Sequence, residues 1–234
     1  MNNLEHIYYI NLEQRTDRNN HILNELNSIN TVNFNRFNAI SHKCGALGCS
    51  KSHLTLLTMA KEQQLPYIVI LEDDITFKNP ELFNHTLHTI LERHPIKESA
   101  WDVLMLGGNM PNTNNYEIDD LCIRTTQCLT TTGYIVKSHY YDTLITNIKN
   151  GIKYLEKFNE RLNMFAIDTY WQPLQKKDNW YVLYPLHTII KNNTIDTNNK
   201  NDVNDENTER IGLVTQYANY SDVVNKHTDY STLF

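Results

Sequence analysis

Tyr67-Ile68-Val69-Ile70-Leu71-Glu72-Asp73-Asp74 is an apolar run that ends in three carboxylates. It is short, rich in Ile and Val, and begins directly after Pro66, which predicts a strand buried on both faces. Open α/β sheets bind ligands at the carboxyl ends of their strands. Three adjacent acids at such an end repel one another unless a cation neutralises them. Hard oxygen ligands suit Mg²⁺ or Mn²⁺, usually shared with a substrate phosphate. The stretch alone therefore points to a metal-plus-phosphate site, with a plain acidic loop as the bland alternative. A specific rival is a phosphatase that forms an aspartyl-phosphate, in which an apolar strand precedes Asp-x-Asp-x-Thr. The corresponding positions hold Glu72, Asp74 and Thr76. A glutamate, one methylene longer, misplaces the nucleophile for in-line attack.

Upstream, His6-Ile7-Tyr8-Tyr9-Ile10 predicts a first buried strand. A helix is expected next, with Thr16 or Asp17 as N-cap and Ile22, Leu26 and Ile29 along one face. Phe34 to Ile40 fits a second strand. Gly45-Ala46-Leu47-Gly48-Cys49-Ser50-Lys51-Ser52-His53 leads into a helix carrying Leu54, Leu57 and Ala60. Its two glycines allow tight backbone geometry before a helix N-terminus that can face an anion. The Gly-Lys-Ser/Thr ending of a Walker loop is absent, and a simple loop is the favoured account of the glycines.

Downstream of the acids, Pro80 opens a helix bearing Leu82, Phe83, Leu87, Ile90 and Leu91. Strands are expected at 101–106, 121–123, 133–136 and 180–185, helices at 140–148 and from Phe165, and a polar surface loop over Pro111–Asp120. This alternation predicts an α/β domain with a mostly parallel sheet over residues 1–190. Residues 191–234 begin with a run of Asn, Asp and Lys that reads as a mobile loop or tail.

At 234 residues the chain can bury one sizeable α/β core, and 40% hydrophobic with 21% charged residues is ordinary for a soluble protein. The net charge of −6, without a Lys/Arg-dense face, argues against nucleic acid as a partner. No run has the length of a membrane helix and the first residues lack a signal-peptide pattern, so a cytoplasmic location is expected. Cys44, Cys49, Cys122 and Cys128 show no Cys-x-x-Cys spacing and read as reduced thiols. The sequons at Asn84, Asn192 and Asn219 are then accidental. The tyrosines of the tail (Tyr217, Tyr220, Tyr230) offer a surface for a partner subunit, which allows a homo-oligomer.

Four segments, in order, resemble glycosyltransferase family 25, which includes lipopolysaccharide-type and procollagen galactosyltransferases. They are Tyr9 to Arg18, Gly45 to His53, Ile70 to Ile75 and, more loosely, Thr132 to Val136. Tyr184-Pro185-Leu186-His187 is similar to a Tyr-Pro-x-His near the end of the procollagen enzymes. The resemblance covers roughly residues 6 to 190. It implies a GT-A-like nucleotide-sugar-binding fold and a metal-dependent, inverting transfer of a hexose, of galactose or glucose type. The donor would be a UDP-sugar and the acceptor a hydroxyl of a glycan or protein.

On this resemblance Asp74 is the main metal ligand for Mn²⁺ (or Mg²⁺), with Glu72 on the metal or the ribose. Asp73 lies in the outer shell or on the ribose. Asn11, Arg15 and Arg18 follow the first strand where the nucleotide lies, and an Arg there can pair bidentately with the diphosphate. The alternative for Arg15 and Arg18 is a solvated helix start paired with Glu13 or Asp17. Ser52 and His53 contact the donor or buttress the acidic strand. His187 is a candidate Mn²⁺ ligand, set against a structural hydrogen bond. Asp168, one turn before Trp171, is the candidate base for the acceptor hydroxyl, set against a helix-capping role. Two departures touch acceptor identity: Ala46 stands where the family commonly has an acid, and Thr188 to Lys191 stand where glycine-rich sequence is expected. The competing function is a catalytically silent nucleotide- or glycan-binding module with the same fold.

Overall fold

Alternating apolar residues on the strands divide the interior into two cores, one on each face of the main sheet. The computed structural model describes residues 4–94, 101–110, 116–117, 121–158, 162–184 and 188–190. In chain order these form β1 (Ile7–Asn11), α1 (Thr16–Ser28), β2 (Phe34–Asn38), α2 (Gly45–Glu62), β3 (Tyr67–Glu72) and β4 (Ile75–Phe77). Next come α3 (Pro80–Arg93), β5 (Val103–Met105), β6 (Tyr116–Glu117), β7 (Cys122–Arg124), β8 (Gly133–Lys137) and α4 (Tyr141–Lys157). Three short helices, α5 (Leu162–Phe165), α6 (Ile167–Tyr170) and α7 (Gln172–Lys177), precede β9 (Trp180–Leu183) and β10 (Thr188–Ile190).

Eight strands make the main sheet in the order β2-β1-β3-β8-β5-β9-β7-β6. β1 is parallel to both β2 and β3, and β5 is parallel to β9. β8 runs against β3 and β5, β7 against β9, and β6 against β7. Six of the eight strands therefore point the same way, with β7 and β8 reversed. On β3, Ile68 and Ile70 face one core while Val69 and Leu71 face the other. The first core takes its helical side from α2 and α4, through residues such as Leu57, Leu144 and Ile148. The second takes it from α1 and α3, through Ile22, Leu26, Phe83 and Leu87. The result is a three-layer α/β/α arrangement in which β3 is fully covered, as its unbroken apolar run requires.

Four expectations need correction. α1 begins at Thr16 with Arg15 at the N-cap position, and neither Thr16 nor Asp17 caps it; the Asp17 carboxylate instead binds the Arg15 guanidinium. The two glycines are not a loop before α2 but part of its first turn, since the helix starts at Gly45 and no glycine among the described residues has a positive φ. α4 runs past Ile148 to Lys157 because Ile152 and Leu155 continue its buried face. Gly151 stays helical there, and a Cβ on it would lie 3.2 Å from the Phe165 carbonyl and the Tyr170 ring. Within the expected loop Pro111–Asp120, Tyr116–Glu117 is a strand. The segment from 191 onward lies outside the described residues, and so does His187.

Gly48 is needed for close approach. A Cβ at this position would stand 2.5 Å from the Ile40 carbonyl oxygen, and 3.5 Å from the His42 Cβ. Ser52 ties the same contact: the Ile40 N–H donates to its Oγ at 2.8 Å, and its hydroxyl donates to the Gly48 carbonyl at 2.8 Å. Gly48→Ala is expected to push the 40–42 segment outward and to cost about 1–3 kcal/mol of stability, the usual range for overpacking. Urea denaturation measures it, and an unchanged midpoint would refute the close-approach account.

Candidate active site at the acidic end of β3

The ends of β1 and β3 and the first turns of α2 bound a cleft of about 220 Å³, lined among others by Arg15, Arg18, Ser52, His53, Cys49 and the three acids Glu72–Asp74. The parallel pairing of β1 with β3 sets Ile10 opposite Glu72, so both strands deliver their ends to one edge. α1 and α2 begin at that edge as well, because each follows a strand of the parallel half.

Arg18 bridges two of the acids. Its Nη1 donates to Asp73 Oδ1 at 3.0 Å and to Asp74 Oδ2 at 3.1 Å. Asn11, 1% exposed, donates its amide to Asp73 Oδ2 at 2.7 Å and to the Arg15 carbonyl at 3.1 Å. Arg36 completes this network from β2, donating Nε and Nη2 to Asn11 Oδ1 at 3.1 and 2.8 Å. Asn11 is thus a strut that fixes Asp73, underneath the cleft. Arg15 is held by Asp17, with Nε and Nη2 donating at 2.8 and 2.7 Å. That pairing holds the Asp17 carboxyl well below the usual range, with Arg15 as the main cause.

Asp74 is strongly perturbed. Burial, then the charge of Glu72, then that of Asp73 push its carboxyl up to about 7, against the opposing pull of Arg18. Among the described residues its Oδ1 is buried with no hydrogen-bond partner, as is Arg18 Nε. A buried acceptor left without a donor costs on the order of 1–3 kcal/mol. A divalent cation at that oxygen would offset this cost, and a hard carboxylate oxygen suits Mg²⁺ or Mn²⁺.

Glu72 behaves differently. Its Oε1 accepts from the Thr131 hydroxyl at 2.7 Å, and lies 3.4 Å from His53 Nε2 and 3.5 Å from Cys49 Sγ. Burial raises its carboxyl, but His53, Thr131 and Cys49 outweigh burial and bring it below its ordinary value. His53 is fully buried, its Nδ1 is 2.7 Å from the Tyr134 hydroxyl, and the two rings stack at 18°. Ser52 is equally buried and spends both its hydrogen bonds on backbone. Both side chains line the cleft while holding its walls.

Asp168 does not line the cleft. It sits in the first turn of α6, and its Oδ2 accepts the Thr130 N–H at 3.1 Å. Burial raises its carboxyl, the Thr130 amide opposes, and the charge of Glu72 adds to the rise. Thr130 has φ 79°, a strained value for a β-branched residue. The buried Gln175 side chain holds the neighbouring Cys128 at both its N–H and its carbonyl, at 2.8 and 2.9 Å. Asp168 and Gln175 together thus hold the Cys128–Thr132 loop, whose Thr131 reaches Glu72. β10 pairs with β4, and its register sets Ile190 opposite Ile75, next in sequence to Asp74.

Sequence reasoning did not single out Arg36, Thr131, Tyr134 or Gln175. Arg36 carries a faint signal as a charge inside a strand. Thr131 and Tyr134 become visible only when the sheet order puts β8 beside β3, and Gln175 only when α7 meets Cys128.

The sequence matches glycosyltransferase family 25 (LPS biosynthesis protein) over residues 44–171, more than half of the chain. The chain belongs to glycosyltransferase family 25. The matched segment runs from the residue before α2 to Trp171, and it includes Glu72–Asp74 and Asp168. Sugar transfer is the chemistry of the family. No curated protein matches the chain. Among solved structures the chain is similar to a glycosyltransferase involved in the glycosylation of the major capsid of PBCV-1, at 11% identity and TM-score 0.42, over 76% of this chain and 92% of that one. It is also similar to mouse xyloside xylosyltransferase 1 in its apo form, at 10% identity and TM-score 0.39, over 75% and 70% of the respective chains. Among the described residues no helix is long and apolar enough to cross a membrane.

Proposed function

We propose that this chain moves a hexose, of galactose or glucose type, from a UDP-sugar to an acceptor hydroxyl on a glycan or protein, with inversion and with Mn²⁺ (or Mg²⁺) at the acidic end of β3. The observation that carries this reading is the buried Oδ1 of Asp74, without a partner among the described residues, beside two further carboxylates. Asp74 would hold the cation, with Glu72 or His187 as additional ligands; His187 lies outside the described residues. A bound cation neutralises charge that develops on the diphosphate leaving group.

The protein's own groups supply the rest. Arg18 offsets the repulsion between Asp73 and Asp74. Arg15 lines that cleft, its side chain 35% exposed, and can exchange Asp17 for a phosphate oxygen. Asp168 serves as base: it takes the acceptor hydroxyl's proton on a carboxylate oxygen while that hydroxyl attacks the anomeric carbon. A carboxyl raised by burial holds a proton better than one in water. Residues 1–190 form the catalytic domain in this proposal, and 191–234 an Asn/Asp-rich tail.

Calorimetric titration of UDP, with Mn²⁺ and then with chelator, tests the donor site. Binding that requires Mn²⁺ and is lost in chelator is the expected result. No binding under either condition would favour the silent glycan-binding module.

A further inference from the structure

Beside the oxygen-rich site at Asp74 the cleft contains a second, chemically softer group of ligands. Cys49 and His53 are four residues apart on α2 and therefore share a face, and Glu72 meets them from the end of β3. Cys49 Sγ, His53 Nε2 and a Glu72 oxygen all lie within 4.8 Å of one another. Tetrahedral Zn²⁺ with bonds of about 2.0–2.1 Å to N and O and about 2.3 Å to S needs its ligand atoms roughly 3.3 Å (N to O) and 3.6 Å (S to O) apart. The observed separations are 3.4 Å from His53 Nε2 to Glu72 Oε1 and 3.5 Å from Cys49 Sγ to the same oxygen.

The surroundings suit a ligand set. Metal-bound histidines usually engage a partner through the other ring nitrogen, which fixes ring orientation. His53 Nδ1 does so with the Tyr134 hydroxyl at 2.7 Å, and the stacked Tyr134 ring holds the imidazole plane. Glu72 Oε1 is likewise held by Thr131 at 2.7 Å. All three candidate ligands line the cleft, so a cation has a path in and the fourth position can take water.

We propose that Cys49, His53 and Glu72 form a three-ligand site for a thiophilic divalent cation, Zn²⁺ above all, with an open fourth position toward the cleft. Ligand softness separates it from the Asp74 site: thiolate and imidazole favour Zn²⁺ over Mn²⁺, whereas carboxylates alone suit Mn²⁺ or Mg²⁺. The two sites share the Glu72 carboxylate, which makes this one a point of inhibition by thiophilic cations and not of catalysis. The site's existence does not depend on the donor reading.

Titrating Co²⁺ into the reduced, metal-free full chain tests it. One equivalent is expected to give the strong visible bands of four-coordinate Co²⁺ and a thiolate-to-cobalt charge-transfer band in the ultraviolet, both bleached by one equivalent of Zn²⁺. Cys49→Ser is expected to lose the charge-transfer band and to weaken Co²⁺ binding by about tenfold or more. X-ray absorption at the zinc edge of the wild-type protein requires no variant to fold. It is expected to show one sulfur neighbour at about 2.3 Å. A six-coordinate Co²⁺ spectrum without charge transfer, a sulfur-free zinc shell, or an unchanged spectrum in Cys49→Ser would overturn the proposal. These readouts do not involve UDP, so failure of the donor-site reading leaves them intact.

Discussion

Asp74→Asn is expected to lower Mn²⁺-dependent sugar transfer by roughly 10²–10³-fold or more, the scale of losing one electrostatic contact to a developing charge, while raising the stability of the metal-free protein. The gain arises because wild-type Asp74 is ionised at a site that disfavours its charge. Burial first, and the charges of Glu72 and Asp73 after it, lift its carboxyl from 3.8 to about 7. At about 1.36 kcal/mol per pKa unit the upper bound is about 4 kcal/mol. Local relaxation and water penetration reduce this to roughly 1–3 kcal/mol, or several degrees in Tm for a chain of this size. The sign follows from linkage. A carboxyl whose folded pKa is raised destabilises nothing below the unfolded value, costs progressively more as pH rises from about 4 to about 7, and costs a constant amount above that. The variant's advantage should therefore be largest at pH 8 and fade toward pH 4. Mn²⁺ with UDP should reverse the ranking, because ligands that bind the folded state stabilise the wild type by mass action. Undiminished transfer would remove Asp74 from the metal site; a variant less stable than wild type at pH 8, metal-free, would overturn the account of its buried charge.

The acidic end of β3 was legible from sequence for a simple physical reason. A strand covered on both faces must be apolar throughout, so polarity can return only where the strand leaves the core, and three consecutive carboxylates mark that point. β1, β8 and β9 were legible on the same ground, and family resemblance pointed to the same cleft. Hydrogen-bond partners were not legible, because they depend on sheet order. Glu72 meets Thr131, and His53 meets Tyr134, only because β8 inserts antiparallel between β3 and β5. Asn11 was expected to meet the nucleotide, but a buried amide satisfies its nearest strong partners, and those are Asp73, the Arg15 carbonyl and Arg36. Gly45 and Gly48 looked like a loop because glycine is read as a breaker. The requirement at Gly48 is space beside the Ile40 carbonyl, which a helix can also meet.

Asp168→Asn separates the two roles left open for that residue. The amide oxygen of asparagine can still accept the Thr130 N–H, which Asp168 Oδ2 accepts at 3.1 Å. It thus preserves the constraint that holds Thr130 at φ 79° and, through the loop, places Thr131 against Glu72. What asparagine cannot do is take a proton. If Asp168 is the base, the variant retains the Mn²⁺-dependent Kd for UDP and wild-type stability, and kcat falls by about 10²–10⁴-fold, the contribution of a positioned general base. Asp168→Ala removes base and constraint together. It releases a buried N–H at a cost of about 1–3 kcal/mol, and lets Thr130 relax from its strained φ. Its UDP affinity should fall as well, since Glu72 loses the loop that carries its partner. A near-normal kcat in Asp168→Asn combined with a damaged Asp168→Ala would make Asp168 a structural anchor, and the base would then have to be sought among the groups that line the cleft. A loss of UDP affinity in Asp168→Asn itself would place the residue on the donor side of the site. Single-turnover rates with saturating UDP-sugar, measured beside UDP titrations of both variants, distinguish these outcomes because chemistry and donor binding are then read separately.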